Sequence, residues 1–588
     1  MNDHHNVSSA PAGPDASPQG LSRRRVWLLC AATAVGWSVC FAPLDGTALA
    51  YVILAPWAVA MAAGRGRTPL WAGWLTGLVG AMIGLYWLTW VTVIGYLGVA
   101  VAVSGFWLVG AWVVRRSAAA KWPLFLVLPV VWVALEYGRA WLLGGFPWFF
   151  LGHSQYRWVR LIQVADLTGV YGVSFAVALA NGLIADAALA LYRGSADRRR
   201  LIAGGVTAGI LMAGLLGYGT FRLRQAERTT TAGPTVAVVQ SAVPIDLYTG
   251  RAVRPEPLVD GLIADSAPLA DAQVDLVVWP ETVLPTSFDR DWASETPWLA
   301  FDPMDFAEDD RAYLRSMQRM HRKVGALLET LDAPLLAGGT TVRRDDEAAG
   351  GVRLFNSAML MAAAPDGGVD VIGTYHKIHC VPFSEYVPFE RGAPWLHRAL
   401  RWFVPDVMHQ LTPGRHYRRF RFAAEGRSWR MAVPICYEGT FARVCRRLAH
   451  GRTGKQIDVL VNLSNDGWFI YPFGESRWAS TELDQHLSAY VFRAIESRVP
   501  VVRAVNTGIS GFIDSSGRIG PVVTDPDSGT RKMVTGTAVQ QLLVDGRRSR
   551  YSRVGDLVAQ LCSIAAAGLG SVLWWRGHRA KRMRKKRA

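Results

Sequence analysis

A thiol, an ammonium and a carboxylate each stand just past an apolar run in this chain. Val433-Pro434-Ile435 leads into Cys436, which Tyr437-Glu438-Gly439 follows. Val274–Val278 leads to Trp279-Pro280-Glu281. Val369–Ile372 leads to Tyr375-His376-Lys377, with Phe383-Ser384-Glu385-Tyr386 soon after. Such groups suit acyl transfer: a cysteine accepts the acyl group, a carboxylate takes and returns a proton, and a lysine stabilises an oxyanion. A nucleophile at a sharp strand-to-helix turn is exposed to substrate. A free thiol titrates at about 8.5 and positive neighbours lower it, so Lys377 is expected to depress Cys436. A lone cysteine is more often a small buried hydrophobe. Three complementary groups at strand ends weigh against that bland reading.

The elements that must position these groups begin at about residue 234. Short β-rich runs cover Thr235–Val239, Val274–Val278, Ala358–Met361, Val369–Ile372, Met431–Ile435, Val459–Asn462 and Val499–Val505. Helical patterns separate several of them, notably Asp309–Leu331 and Ala479–Ser497. Strands alternating with helices predict an α/β domain. Asp514-Ser515-Ser516-Gly517 predicts a hairpin turn. Residues 286–308 are acidic and aromatic without periodicity, which predicts a long loop.

The first third of the chain has a different character. Of 588 residues, 51% are hydrophobic and 24 are Trp. A bilayer span needs about 20 mostly apolar residues. Runs of that kind fall at 26–44, 47–64, 70–90, 92–114, 123–143, 165–190 and 201–220, with another at 555–575. The first follows Arg23-Arg24-Arg25 and is long for a cleavable leader, so a retained anchor is expected. Basic residues favour the cytoplasmic side. With the amino terminus inside, the inner segments hold 20 basic residues against Asp3, Asp15 and Asp197. Their excess equals the +17 of the whole chain, so the remainder balances at 43 basic and 43 acidic residues. The basic pI of 9.8 is therefore topogenic, and nucleic-acid binding is not expected. The domain plan is a disordered cytoplasmic segment 1–25, seven spans over 26–220, an external α/β domain 221–553, a last span 554–575, and a basic cytoplasmic tail 576–588.

Other features have two readings each. The aromatic loop 144–160 fits either an interfacial belt or a floor beneath an external site. Glu136 and Arg139 lie three apart on a predicted span, where they can pair structurally or serve function. Of the six cysteines, Cys380, Cys436 and Cys445 lie outside the spans, and three thiols give no disulfide framework.

Taken in order, Trp279-Pro280-Glu281, His376-Lys377, Val381–Pro388, Ile435-Cys436-Tyr437-Glu438, Asn462–Phe469 and Arg503–Gly508 resemble the Glu-Lys-Cys signature of the nitrilase, or carbon–nitrogen hydrolase, superfamily. With apolar spans on both sides and Gly145-Phe146-Pro147-Trp148 on an outer loop, the chain resembles the apolipoprotein N-acyltransferases. The resemblance implies a nitrilase-like α-β-β-α sandwich on a polytopic helical membrane domain. It implies Cys436 as nucleophile, Glu281 as general base and later acid, and Lys377 as oxyanion stabiliser. Glu385 would support the site, and Tyr437 and Glu438 would shape the pocket; the bland readings are that Glu385 only pairs with Lys377 and that Tyr437 is core. The implied partners are a phospholipid acyl donor and a diacylglyceryl lipoprotein acceptor, and the implied place is a bacterial inner membrane with the site on the periplasmic side. No cofactor and no metal are expected. The chain departs from the family where Tyr248 is the nearest aromatic after Gln240 and Pro244, in place of a tryptophan, and where segments 286–308 and 470–478 look enlarged. The alternatives are a membrane-tethered amidase acting on a small soluble amide, and a transporter or receptor with an inert external domain.

Overall fold

The computed structural model describes residues 20–587 except 195–196, 244–254, 285–309, 346–351, 366, 391, 403–410, 425, 453 and 474–475. The 286–308 loop, Pro244, Tyr248 and the amino-terminal residues up to 19 lie outside the described residues. The disordered segment expected over 1–25 is corrected at its end, where Leu21 bridges Gly64 and the helix Arg23–Val39 begins.

Apolar helices form where the hydropathy pattern predicts them: Arg23–Val39, Leu54–Ala63, Thr68–Gly84, Val93–Ala119, Leu124–Trp141, Val170–Arg193, Arg198–Thr229 and Leu557–Arg587. By length and composition, Val93–Ala119, Val170–Arg193, Arg198–Thr229 and Leu557–Arg579 are each able to cross a membrane. Their ends have local causes. Thr92 accepts from Gly95 N at 3.3 Å and Asp197 from Arg200 N at 3.2 Å, each satisfying an orphan donor of a first turn. The break before Leu54–Ala63 is held by Asn181. Its Oδ1 accepts from the amides of Leu54 and Ala55, and its Nδ2 donates to Ala50 O. Trp37, Trp57, Trp107 and Trp132 pack edge to face or tilted at centroid distances of 4.9–6.2 Å and fasten four of the first five helices together.

The carboxy-terminal half is built on two six-stranded sheets. The strands in chain order are β1 (Thr230–Gln240), β2 (Leu276–Val278), β3 (Leu335–Arg344), β4 (Val352–Ala363), β5 (Val369–His376), β6 (Phe420–Ala424), β7 (Arg427–Ala432), β8 (His450–Gly451), β9 (Gly454–Lys455), β10 (Val459–Ser464), β11 (Ile470–Phe473), β12 (Ser476–Ala479), β13 (Val501–Val505), β14 (Gly511–Ile513), β15 (Ile519–Val522) and β16 (Gly536–Asp545). One sheet runs β16-β1-β2-β3-β4-β5 and the other β15-β14-β13-β10-β7-β6. The period-2 alternation of a strand sorts its side chains between layers. Val236 and Val238 join a hydrophobic core that also holds the paired Val461 and Val502 of the second sheet. Ala237 and Val239 face outward, in a second core with Val259 and Leu262 of helix Pro255–Ser266 and Met320 and Val324 of helix Asp310–Leu331. On the far side, Leu487, Tyr490 and Val491 of helix Glu482–Ser497 cover the second sheet. The result is the four-layer sandwich expected from the sequence.

Two observations correct or refine that reading. The predicted enlarged segment 470–478 contains an antiparallel hairpin, β11 with β12, whose Tyr471 packs on Trp90. Glu136 and Arg139 each reach the returning aromatic loop: Glu136 Oε1 accepts from Leu151 N at 2.6 Å and Trp132 Nε1 at 3.0 Å, while Arg139 donates to Phe149 O at 3.1 Å. A chain segment 10–15 residues away fills the role that the i,i+3 spacing gave to a direct pair.

The helical and sandwich halves are joined by buried polar contacts. Arg498 donates to Asp166 Oδ2 at 2.7 Å and Gln163 Oε1 at 2.7 Å. Glu496 Oε1 accepts from Val170 N at 3.0 Å. Trp87 and Trp148 both donate to Gln485 Oε1, at 3.2 and 2.8 Å. Each group is buried, so each bond avoids the cost of an orphaned polar atom.

Candidate active site

Cys436 stands where the second sheet ends. After β7 the chain continues through Val433-Pro434-Ile435, whose Ile435 bridges Leu463, and then turns at once into the 3-10 turn Cys436–Thr440. Cys436 takes a φ of +47°, a left-handed conformation uncommon for a non-glycine residue and found at strained functional turns. Tyr490 OH holds it there by donating to Cys436 O at 3.0 Å. Glu438 fixes the turn from the inside. Its Oε2 accepts from Ile435 N at 2.9 Å; its Oε1 accepts from the amides of Ile378 and His379 at 2.8 and 3.0 Å and from Tyr375 OH at 3.0 Å. Burial pushes the Glu438 carboxyl up to about 7, against those backbone donors. It thus ties the Cys436 turn to the lysine segment.

Glu281 lies just past β2, and Gly338 of β3 lets the backbone approach: a Cβ there would fall 2.8 Å from Pro280 O. The carboxylate is buried and fully engaged. Oε1 accepts from Lys377 Nζ at 3.2 Å and Asn356 Nδ2 at 2.7 Å; Oε2 accepts from Asn465 N at 2.8 Å. Lys377, 1% exposed, follows β5 and also donates to Glu385 Oε1 at 2.9 Å. Burial alone would lower the ammonium, but Glu281 and Glu385 outweigh it and hold Lys377 well above the usual lysine range. Glu385 in turn accepts from Val381 N at 2.7 Å and Asn356 Nδ2 at 2.8 Å. It therefore does more than pair with Lys377.

The thiol belongs to the same electrostatic unit. Burial, then Glu281, raises Cys436 well above the usual thiol range; Lys377 and the Ser464 side chain oppose this without prevailing. This corrects the expectation of a thiol depressed by Lys377. An ammonium shared between two carboxylates has little field left over for a third group. The arrangement suits a neutral thiol that loses its proton to Glu281 only as it attacks. Cys380 and Cys445 are buried and free, and neither forms a disulfide.

Tyr437 closes the site toward the helical half. Its hydroxyl donates to Gly145 O at 2.9 Å, and its ring meets His379 and Phe441 at centroid distances of 6.1 and 4.9 Å. The aromatic loop therefore borders the Cys436 turn, which favours the floor reading over a simple interfacial belt.

Sequence reasoning gave no role to Asn356, Asn465, Asn506 or Tyr490. Asn506 Nδ2 donates to Asn465 Oδ1 at 2.9 Å, and Asn506 Oδ1 accepts from Ser241 Oγ at 2.8 Å, so the loop bearing Asn465 is tied to the end of β1. The available signal was a polar residue inside an apolar run, as in Phe355-Asn356-Ser357-Ala358. Behind the thiol, Asp466, Glu482 and His486 place ligand-type atoms within 4.8 Å of one another. Arg503 supplies a positive charge 3.8 Å from Asp466, and burial, then Asp466, pushes Glu482 well above the usual carboxyl range.

A family model described as the apolipoprotein N-acyltransferase N-terminal domain matches residues 33–183, and one described as carbon-nitrogen hydrolase matches 235–542. A protein from Geobacter metallireducens named apolipoprotein N-acyltransferase is 30% identical over 573 residues, covering 94% of this chain and 96% of its own. The chain belongs to the apolipoprotein N-acyltransferase family. A second relative of that name, from Azotobacter vinelandii, is 30% identical over 501 residues, covering 81% of this chain and 83% of its own. Among solved structures, an amidase from Nesterenkonia sp. is similar at 13% identity and a TM-score of 0.32, covering 55% of this chain and 93% of that one. The two family matches meet the chain on either side of the helix Arg198–Thr229, so the family's two parts correspond to the helical half and the sandwich described above.

Proposed function

We propose that this chain acylates the amino terminus of lipoproteins through a thioester on Cys436. Lipoprotein N-acylation follows from the family; the residues and the donor are our reading. Cys436 Sγ attacks the ester carbonyl of a phospholipid while Glu281 takes the thiol proton. Lys377 stabilises the oxyanion of the tetrahedral intermediate. Collapse breaks the ester C–O bond, Glu281 returns the proton to the departing lysophospholipid oxygen, and the acyl chain stays on sulfur. The α-amine of a diacylglyceryl-cysteine then attacks the thioester, Glu281 takes its proton, and the amide forms as the thiol is restored.

The observation that carries this reading is the shared hydrogen-bond network of Glu281, Lys377, Asn356 and Glu385 beside a strained cysteine turn. Glu385 and Asn356 serve as positioning residues, while Tyr437 and Glu438 shape and brace the nucleophile turn. The helical half supplies a physical reason for the membrane frame. Each CH₂ kept out of water is worth about 0.8 kcal/mol, so a site at the bilayer surface avoids exposing a long acyl chain. In this reading eight helical segments span a bacterial inner membrane. Residues 26–220 form the first seven spans, 221–553 the periplasmic catalytic domain, 554–575 the last span, and both basic termini are cytoplasmic. An amidase acting on a soluble amide has no need of that frame.

Reconstituted protein with phospholipid and a diacylglyceryl lipopeptide tests the reading. The lipopeptide is expected to gain the mass of one acyl chain as an amide, with lysophospholipid released. Release of free fatty acid with no lipopeptide product would replace it with a hydrolase.

A further inference from the structure

Helix Ala442–Ala449 starts one residue past Phe441 and carries Arg443, Arg446 and Arg447 on one face, at i, i+3 and i+4, while Val444, Cys445, Leu448 and Ala449 are buried on the other. Among the described residues no carboxylate lies within 4.0 Å of these three guanidinium groups. Asp556, which weighs electrostatically on Arg443, is engaged by Tyr551 OH at 2.6 Å. Unpaired clustered arginines repel one another, so a fold that retains them leaves room for an anion.

Their place narrows which anion. Arg443 lies over the Trp141 ring at 4.1 Å and donates to Ala140 O at 2.9 Å, at the end of the apolar helix Leu124–Trp141. Arg446 donates to Ser552 O at 3.3 Å and rests against Gly555, at the start of the apolar helix Leu557–Arg587. Trp141, Leu142, Val554 and Leu557 are exposed apolar residues at those two helix ends. Aromatic and aliphatic side chains of this kind mark the boundary between hydrocarbon and headgroups. Arg447 is exposed, and Tyr417 accepts from it at 3.5 Å. Arginine matches phosphate through its planar donor fork.

We infer that the basic face of Arg443, Arg446 and Arg447 binds the phosphate of an anionic phospholipid headgroup in the leaflet beside the nucleophile turn. The inference rests on reading the flanking apolar helices as bilayer spans. Cys436 and Arg443 are joined by a single short turn, with Tyr437 packed on Phe441 between them. A lipid held by its phosphate at this face has its acyl esters next to the site, which makes the surface a loading platform for an acyl donor. Each arginine at the headgroup level changes anionic-lipid binding by about fivefold.

The test uses the full chain as Cys436→Ala, so that the outcome is independent of thioester formation. Native mass spectrometry in neutral detergent counts lipid adducts from an equimolar mixture of phosphatidylglycerol and phosphatidylcholine. The expected result is selective retention of phosphatidylglycerol, reduced about fivefold by Arg447→Gln and further by the triple Arg443→Gln, Arg446→Gln, Arg447→Gln variant. Arg447 is exposed, so its single variant keeps the answer clear if the triple one unfolds. Equal retention of both lipids, an unchanged adduct in Arg447→Gln, or displacement by millimolar inorganic phosphate overturns the inference. A failed lipopeptide acylation by the wild type is a separate result and counts against the proposed function alone.

Discussion

Tyr490 occupies the space that a side chain at Gly439 would need. Its hydroxyl and ring carbons lie where a Cβ would have to go, and the same hydroxyl donates to Cys436 O at 3.0 Å. The absence of a side chain at residue 439 thus permits the bond that holds the Cys436 turn. Gly439→Ala forces Tyr490 to move. Overpacking of this kind costs about 1–3 kcal/mol, and the thiol loses its orientation as well. The expected outcome is a lower Tm by scanning fluorimetry together with slower acylation of Cys436, while Tyr490→Phe lowers the rate with a smaller change in Tm.

Lys377 is the only ammonium among the described residues that meets both Glu281 and Glu385. Lys377→Met leaves the buried Glu281 and the partly exposed Glu385 bridged by Asn356 with no ammonium between them. Breaking a buried pair costs about 3–5 kcal/mol, and loss of an oxyanion donor slows the step by about 10²–10³. Single-turnover acylation is expected to fall by that factor in folded protein.

The pH dependence of Cys436 separates two mechanisms. Burial and Glu281 hold the thiol well above the usual range, so the resting form is neutral. Alkylation by iodoacetamide is expected to climb with pH and still be rising at about 9, beyond the ordinary thiol value. Saturation near neutral pH would mean a preformed thiolate and a dominant Lys377.

Acid stability follows from His376, His379 and His450, which burial, then nearby cations, lowers to about 4 from the usual 6.5. The unfolded chain binds these protons more readily than the folded one. Their contribution is therefore complete above about pH 6.5 and declines as the pH falls toward 4. Buried Glu438, held up at about 7, acts in the opposite direction over the same window, so the histidine contribution is read from the difference between variants. His376→Gln is expected to lose less Tm than the wild type between pH 6.5 and 4. A Tm–pH slope unchanged by His376→Gln would contradict this.

How far the sequence could be read depended on the kind of feature. Glu281, Lys377 and Cys436 were legible because each follows an apolar run that becomes a strand or strand extension, whereas Glu385, in a turn, was legible only from the family resemblance. β3 was not singled out, since Gly338-Gly339 in its middle reads as a turn; the glycines are there because the Glu281 segment packs against that backbone. Asn356 was missed because its role depends on two carboxylates that are 75 and 29 residues away. The effect of Lys377 on the thiol was misjudged for the same reason: spacing gives neighbours, while burial and the sharing of one charge between two partners appear only in three dimensions.

Covalent capture tests the central claim most directly. Purified full-length protein incubated with phospholipid and no acceptor, then examined by intact mass spectrometry, is expected to carry one acyl chain on Cys436. The adduct is labile to neutral hydroxylamine and absent from Cys436→Ala. An unmodified wild type, or an equal adduct on the alanine variant, would contradict the account.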